Sequence, residues 1–428
     1  MSRFNSLRQI LYFVILATLF LLMVQISFTM AQAQPLVLNP KFDVETVFSG
    51  SFEPSSMVIL ANNDILVLDR DVGKVFRVTD GVKSKPLLDV NVATGGYRGL
   101  LGIAVSVNNN STYVFLYFTE SATNDSGDKG QNAVNPIGNR LYRYELVDNK
   151  LINPKLLLNL PVLPGPKDNG GVINIGPDNN VYLIIGDLQG SFKNNQYETM
   201  TQNYKNSSIV DGRAGILVVS QDGKSVGTGI LGSSYPLNLY YGYGIRNSFG
   251  MDWDPVSGHL WDSENGPEFG DELNLVLPGF NSGWAQVQGI WKPLNQSKGP
   301  VETNPNVVTF NGRGNYSPPK FVTLTPTAPS AIKFINSNKY GDDYKDTLLV
   351  ADTNNGYIYN FKLDNKRQNL NLRGELSDKI ANDTNELNSI IFAKGFGRVT
   401  DIEIGPDGLL YLLSDQGQIT NIYRIITK

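Results

Sequence analysis

The chain has no cysteine. That absence excludes thiol nucleophiles, disulfide staples and Cys-ligated zinc or iron–sulfur centres. It has one histidine, His259, so a site needing two or more imidazoles, such as a zinc hydrolase or a His-paired copper centre, cannot form within one chain. A surplus of positive charge is also missing: 36 Lys and Arg stand against 40 Asp and Glu, for a net charge of −4. Such a balance offers no footprint for a phosphate backbone, and nucleic acid is not an expected partner. Charged residues make only 18% of the chain, a composition poor in long solvated helices.

What is present instead is 42 Gly, 22 Pro and 10% aromatic residues, the material of short strands and tight turns. A length of 428 residues exceeds what one hydrophobic core serves. The chain is therefore either several domains or a repeat that multiplies small cores around an axis.

The N-terminus reads as a targeting segment. Arg3 and Arg8 precede an apolar run from Ile10 to Val24 that continues to Phe28, and Ala31-Gln32-Ala33 follows as a small-residue cleavage pattern. Residues 1–33 are expected to direct export, either as a cleaved signal peptide or as an uncleaved membrane anchor, since a span needs about 20 apolar residues. The remainder then faces outside the cytoplasm and touches a membrane only through that segment. Sequons at Asn110, Asn124, Asn206, Asn295, Asn315 and Asn382 agree with export but are weak in an Asn-rich chain.

From residue 57 a unit recurs: an alternating strand, a turn with Asn, Asp or Gly, an apolar strand ending near an acidic residue, and a strand carrying aromatics. Its clearest copy joins Val399–Gly405, the turn Pro406–Gly408, Leu409–Asp415 and Asn421–Ile426. A second joins Gly171–Gly176, the turn Pro177–Asn180, Val181–Asp187 and Gly215–Ser220. Four more begin at Met57, Leu100, Asn247 and Pro329. Six four-stranded antiparallel blades around a channel, an all-β propeller over residues 45–428, is the economical reading, with stacked sandwich domains as the alternative. The ring is expected to close by pairing of the chain's two ends, which removes open sheet edges.

In such a ring the loops of one face converge, so distant residues can meet. Arg246 beside Asn247 forms a planar donor fork suited to a carboxylate or phenolate, or a structural Arg holding loop carbonyls. The acidic loop Asp262–Glu272 brings carbonyls and carboxylates together, as an oxygen-ligated calcium requires, although it lacks EF-hand spacing. Asp168 in Gly165–Gly171 and Asp187 at a strand end could act as a general base or hold a cation, or be ordinary turn residues. His259 lies in a hairpin turn of Pro255–His259 and is read as a surface residue.

These segments resemble the soluble PQQ-dependent sugar dehydrogenases, the glucose/sorbosone dehydrogenase family. The motifs are Arg98–Ala104, Asn169–Gly171 leading to Ile175–Asp178 and Ile185–Asp187, Tyr243–Asn247, Glu264–Pro267 with Asp271–Asn274 and Gly283-Trp284, and Gly397-Arg398 before Asp401 and Gly405–Gly408. They cover the chain after about residue 45 in the family's order. The resemblance implies an exported six-bladed propeller that binds pyrroloquinoline quinone (PQQ) beside Ca2+ and oxidises aldoses at C1. It places Arg246 and Asn247 against the quinone, the Gly266 and Pro267 carbonyls on the calcium, Arg398 on a cofactor carboxylate, and Asp187 behind the catalytic His. That His is replaced: its position is Asp168. A Gln or Glu at the quinone becomes Tyr97, a cofactor-pairing Lys becomes Asn354, and a second Arg becomes Thr400. The expected function is thus oxidation of a sugar or polyol, delivering electrons to an external acceptor, with Asp168 as base. A propeller that no longer oxidises and instead binds carbohydrate or a protein partner is the alternative, and calcium-dependent lactonase chemistry is a further one.

Overall fold

The computed structural model describes residues 34–108, 110–122, 136–188, 199–204, 209–290 and 306–428. The targeting segment and the sequons at Asn124, Asn206 and Asn295 lie outside them. No α-helix occurs among the described residues, and no helix there is long and apolar enough to cross a membrane. Leu36–Lys428 forms one compact unit, beginning ahead of residue 45 because Leu36–Val37 pairs with Ile391–Lys394.

Among the described residues the strands assemble into six sheets. Their innermost strands are Pro54–Ile59, Leu100–Asn108, Ile173–Ile175, Ser248–Trp253, Pro329–Phe334 and Arg398–Ile404. Each neighbours the next, and the last returns to the first, which makes the architecture a β-propeller. The second strands, such as Ile65–Asp69, Val181–Ile185 and Leu348–Asp352, are buried throughout because a sheet covers each face. That position selects continuous apolar runs over alternation.

The core is correspondingly divided. One apolar cluster fills each gap between adjacent sheets: Leu66 with Leu116, Phe115 with Leu183, Ile184 with Leu260, Trp261 with Leu348, Ala351 with Leu412, and Val67 with Leu413.

Uniform four-stranded antiparallel blades are not what forms. Two sheets have four strands and the others five or six. The extra strands are short and pair partly in parallel, as Gly242 with Phe280 and Val322 with Ile380, because the long connections lie back against the sheet edges.

The two ends of the chain do pair. Phe42–Gly50 runs antiparallel to Thr420–Thr427, from Phe42↔Thr427 to Gly50↔Thr420, completing the last sheet with the first long strand of the chain. Phe42 is 5% exposed and meets Tyr340 and Tyr344 edge-on at 5.3 and 5.5 Å, so it fastens the closing strand to the neighbouring sheet. Phe42→Ala is expected to destabilise the fold by about 3–5 kcal/mol, read as a lower midpoint in chemical denaturation.

Candidate functional site

The inner strands begin at one mouth of the ring, and a cavity of about 540 Å3 occupies it. Its wall draws on the start of every inner strand, through Pro54, Leu101, Val172, Asn247, Pro329 and Arg398. Tyr97, Asp168, Arg246, Gly266, Pro267, Asn354 and Thr400 line the same space. Residues far apart in the sequence are therefore brought to one site by closure of the ring.

Gly186 makes the closest approach possible. A Cβ on it would lie 2.3 Å from the Asp168 carbonyl oxygen and 2.5 Å from that of Arg246, so only glycine lets these segments meet. Asp168 sits at φ 56°, a left-handed conformation that Asp and Asn adopt readily. Arg246 is held from several sides. Its backbone N–H donates to Glu264 Oε1 at 2.7 Å, and Nη1 donates to the carbonyls of Asn265 (2.8 Å) and Gly266 (3.2 Å). Nη2 lies 3.4 Å from Asp168 Oδ2, and the guanidinium faces the Trp284 ring at 5.7 Å. Trp284 Nε1 in turn donates to Asp187 Oδ2 at 2.6 Å. Asn247 Oδ1 accepts from the Gly170 N–H at 3.3 Å.

Asp168 is the candidate base. Its Oδ2 is buried, makes no hydrogen bond among the described residues and lies 3.4 Å from Arg246 Nη2. Burial pushes its carboxyl up to about 7; Arg246 opposes that rise, and the neighbouring Asp187 carboxylate adds to it. A carboxylate at that value is half ionised near neutrality, the range a general base requires. Asp187, 2% exposed, lies behind the cavity wall beside Asp168.

The other expected residues take less direct places. Tyr97 is 57% exposed on the wall. Asn354 donates its amide to the Pro326 carbonyl at 2.9 Å. Arg398 is ion-paired with Asp415, and lies 3.4 Å from Glu53. The Gly266 carbonyl accepts from Arg246, and no group of three or more His, Asp or Glu arranged for a metal occurs among the described residues. Calcium takes six to eight oxygens, so an ion here fits only if a ligand and water supply most of them.

The cavity lies within the range of about 300–1,000 Å3 of small-ligand sites, and the Arg246–Asn247 pair with the Gly266-Pro267 backbone fits the quinone end of PQQ. The carboxylate end is less well provided. The lining holds five carboxylates, Glu53, Asp168, Asp271, Asp401 and Asp415, against three arginines, Arg70, Arg246 and Arg398. Trp284 was legible only as half of Gly283-Trp284. Glu53 and Arg70 carried no signal and Asp415 was legible only as the acid ending Leu409–Asp415, because what brings them to the cavity is pairing between segments.

The chain belongs to the glucose/sorbosone dehydrogenase family, whose model matches residues 52–424. It is 27% identical over 449 aligned positions to quinoprotein glucose dehydrogenase B of Acinetobacter calcoaceticus, covering 90% of this chain and 89% of that one. Among solved structures it resembles the PQQ-bound form of an aldose sugar dehydrogenase from Streptomyces coelicolor, with 23% identity, a TM-score of 0.62, and 92% and 100% of the two chains covered. The apo form of the soluble aldose sugar dehydrogenase of Escherichia coli superposes with a TM-score of 0.67 at 20% identity, over 90% and 100% of the two chains. These similarities support a sugar dehydrogenase-like oxidoreductase.

Proposed function

We propose that the protein is an exported, six-bladed quinoprotein that oxidises a hydroxyl of a small sugar or polyol with PQQ and calcium. The observation that carries this reading is the convergence of Asp168, Arg246, Asn247 and the Gly266-Pro267 backbone on one cavity. PQQ supplies a two-electron acceptor for the hydrogen on the carbinol carbon. Arg246 and Asn247 would hold its quinone end, and the Gly266 and Pro267 carbonyls would contribute oxygens to a calcium ion. Asp168 Oδ2 takes the substrate's hydroxyl proton, and Arg246 stabilises the ionised carboxylate before that transfer. Export rests on residues 1–33, which place the propeller outside the cytoplasm whether or not that segment is cleaved.

The test is reconstitution. Purified protein loaded with PQQ and calcium should show a bound-cofactor spectrum and reduce a dye with aldoses or polyols. Chelation of that loaded sample should lower its melting midpoint, because a ligand that binds only the native state stabilises it. A loaded sample whose midpoint ignores chelator would remove calcium from the reading. A second reading, a non-oxidising propeller that binds carbohydrate or a protein partner, is favoured by the commitment of Arg398 to Asp415 and Glu53. Absence of both spectrum and dye reduction would establish that reading over the first.

A further inference from the structure

We propose that Arg70 and Arg398 form a carboxylate-binding clamp in the cavity, and that Glu53 occupies it until a ligand carboxylate takes its place. The proposal rests on the reading of this cavity as the ligand site. Arg70 Nη2 and Arg398 Nη2 approach the same oxygen, Glu53 Oε1, at 3.1 and 3.4 Å. All three residues line the cavity. The chain's own carboxylate is thus the stand-in that displays what the pair accepts.

The parts are held in place by the backbone. The pairing Pro54↔Asp69 sets residues 53 and 70 side by side, and the Arg70 N–H donates to the Glu53 carbonyl at 2.7 Å. The Arg70 stem passes over Gly99, where a Cβ would lie 2.6 Å from Arg70 Cγ. Any side chain at 99 would therefore push the guanidinium off its course. Arg70 Nε donates to Asp71 at 2.7 Å, but a guanidinium has five N–H donors and the contacts to Asp71 and Glu53 leave capacity for a second acceptor.

The clamp also answers the charge deficit. Asn354 and Thr400 supply no cation to the cavity, and Arg70, at the end of Ile65–Asp69 in the sheet next to that of Thr400, supplies one. A ligand carboxylate replacing Glu53 receives charge-assisted bonds from Arg70 and from Arg398, whose Nη2 stays paired with Asp415 as well, while Glu53 turns to solvent, to which it is already 27% exposed. Two sources share this chemistry, a carboxylate of PQQ and the carboxylate of an acidic sugar.

Full-chain protein titrated by intrinsic tryptophan fluorescence separates them, with PQQ plus calcium in one arm and gluconate or glucuronate in the other. Arg70→Gln should weaken the ligand that uses the clamp by about ten- to a hundredfold, and Glu53→Gln, which removes the competitor, should tighten it about tenfold or more. A response of PQQ alone supports the clamp as a cofactor subsite. A response of the sugar acids alone keeps the clamp and removes PQQ as its occupant. Affinities of both probes unchanged by both substitutions, or binding of neither probe to wild type and Glu53→Gln, overturns the clamp; the first of these leaves the PQQ reading standing.

Discussion

Asp168→Asn should abolish sugar oxidation in the PQQ- and calcium-loaded protein, lowering kcat by about 10²–10⁴-fold while leaving the fold intact. The amide is nearly the same size and tolerates the left-handed backbone at φ 56°, so thermal unfolding should change little. What is lost is the group that accepts a proton. Asp168 is buried and pushed up to about 7, so the wild-type rate should rise with pH through about 7 as the carboxyl ionises and level off above it. Arg246→Lys shifts that limb upward, because a single ammonium cannot reproduce a guanidinium bound at once to two carbonyls and a carboxylate. A rate that stays high in Asp168→Asn, with the same pH profile as wild type, would show that another group takes the proton.

The legibility of this site follows from where the information sits. The second strands announce themselves because a strand covered on both faces must be apolar: Val181–Ile185 and Leu410–Asp415 are buried from end to end. Outer strands such as Lys150–Leu160 are found only in the structure, since an edge strand with mixed exposure shares its pattern with a loop; Phe321–Thr323 is buried but only three residues long. Asp168, Arg246 and Gly266 could be placed from motifs, because each motif is a local solution to a close approach, as Gly186 between two carbonyls demonstrates. The commitments of Arg398 and Arg70 could not, because the acids that hold them depend on strand register and ring closure. Asp415 faces Arg398 across a strand pair, Arg398↔Asp415, and Glu53 arrives from the opposite end of the chain.

Raising the pH from about 5 to 9 should destabilise the protein, and Glu272→Gln should flatten that dependence. Glu264 Oε2 and Glu272 Oε2 lie 2.6 and 3.0 Å from the same hydroxyl, Ser282 Oγ. A hydroxyl donates one proton, so both contacts are hydrogen bonds only when one carboxyl is protonated and donates in return. Burial, with smaller opposition from Asn274, the Gly289 N–H and Ser282, pushes Glu272 up to about 8, and burial with the charge of Glu272 holds Glu264 well above its ordinary value. No Lys or Arg side chain bonds either carboxylate among the described contacts; the Arg246 N–H and Gln288 amide are the remaining donors. The sign follows directly. The folded state keeps a proton that the unfolded chain releases near the ordinary glutamate value of 4.5, so the stabilising contribution is complete below that value and is lost as pH rises through about 8. Across that window each retained proton changes stability by about 1.4 kcal/mol per pH unit. Melting midpoints measured from pH 5 to 9 should therefore fall steadily in wild type. Gln at 272 keeps the shape, supplies an N–H to Ser282 and removes the titrating group, so its midpoint at pH 9 should exceed that of wild type. A wild-type midpoint that rises toward pH 9 would mean that the two carboxylates are held ionised by a cation.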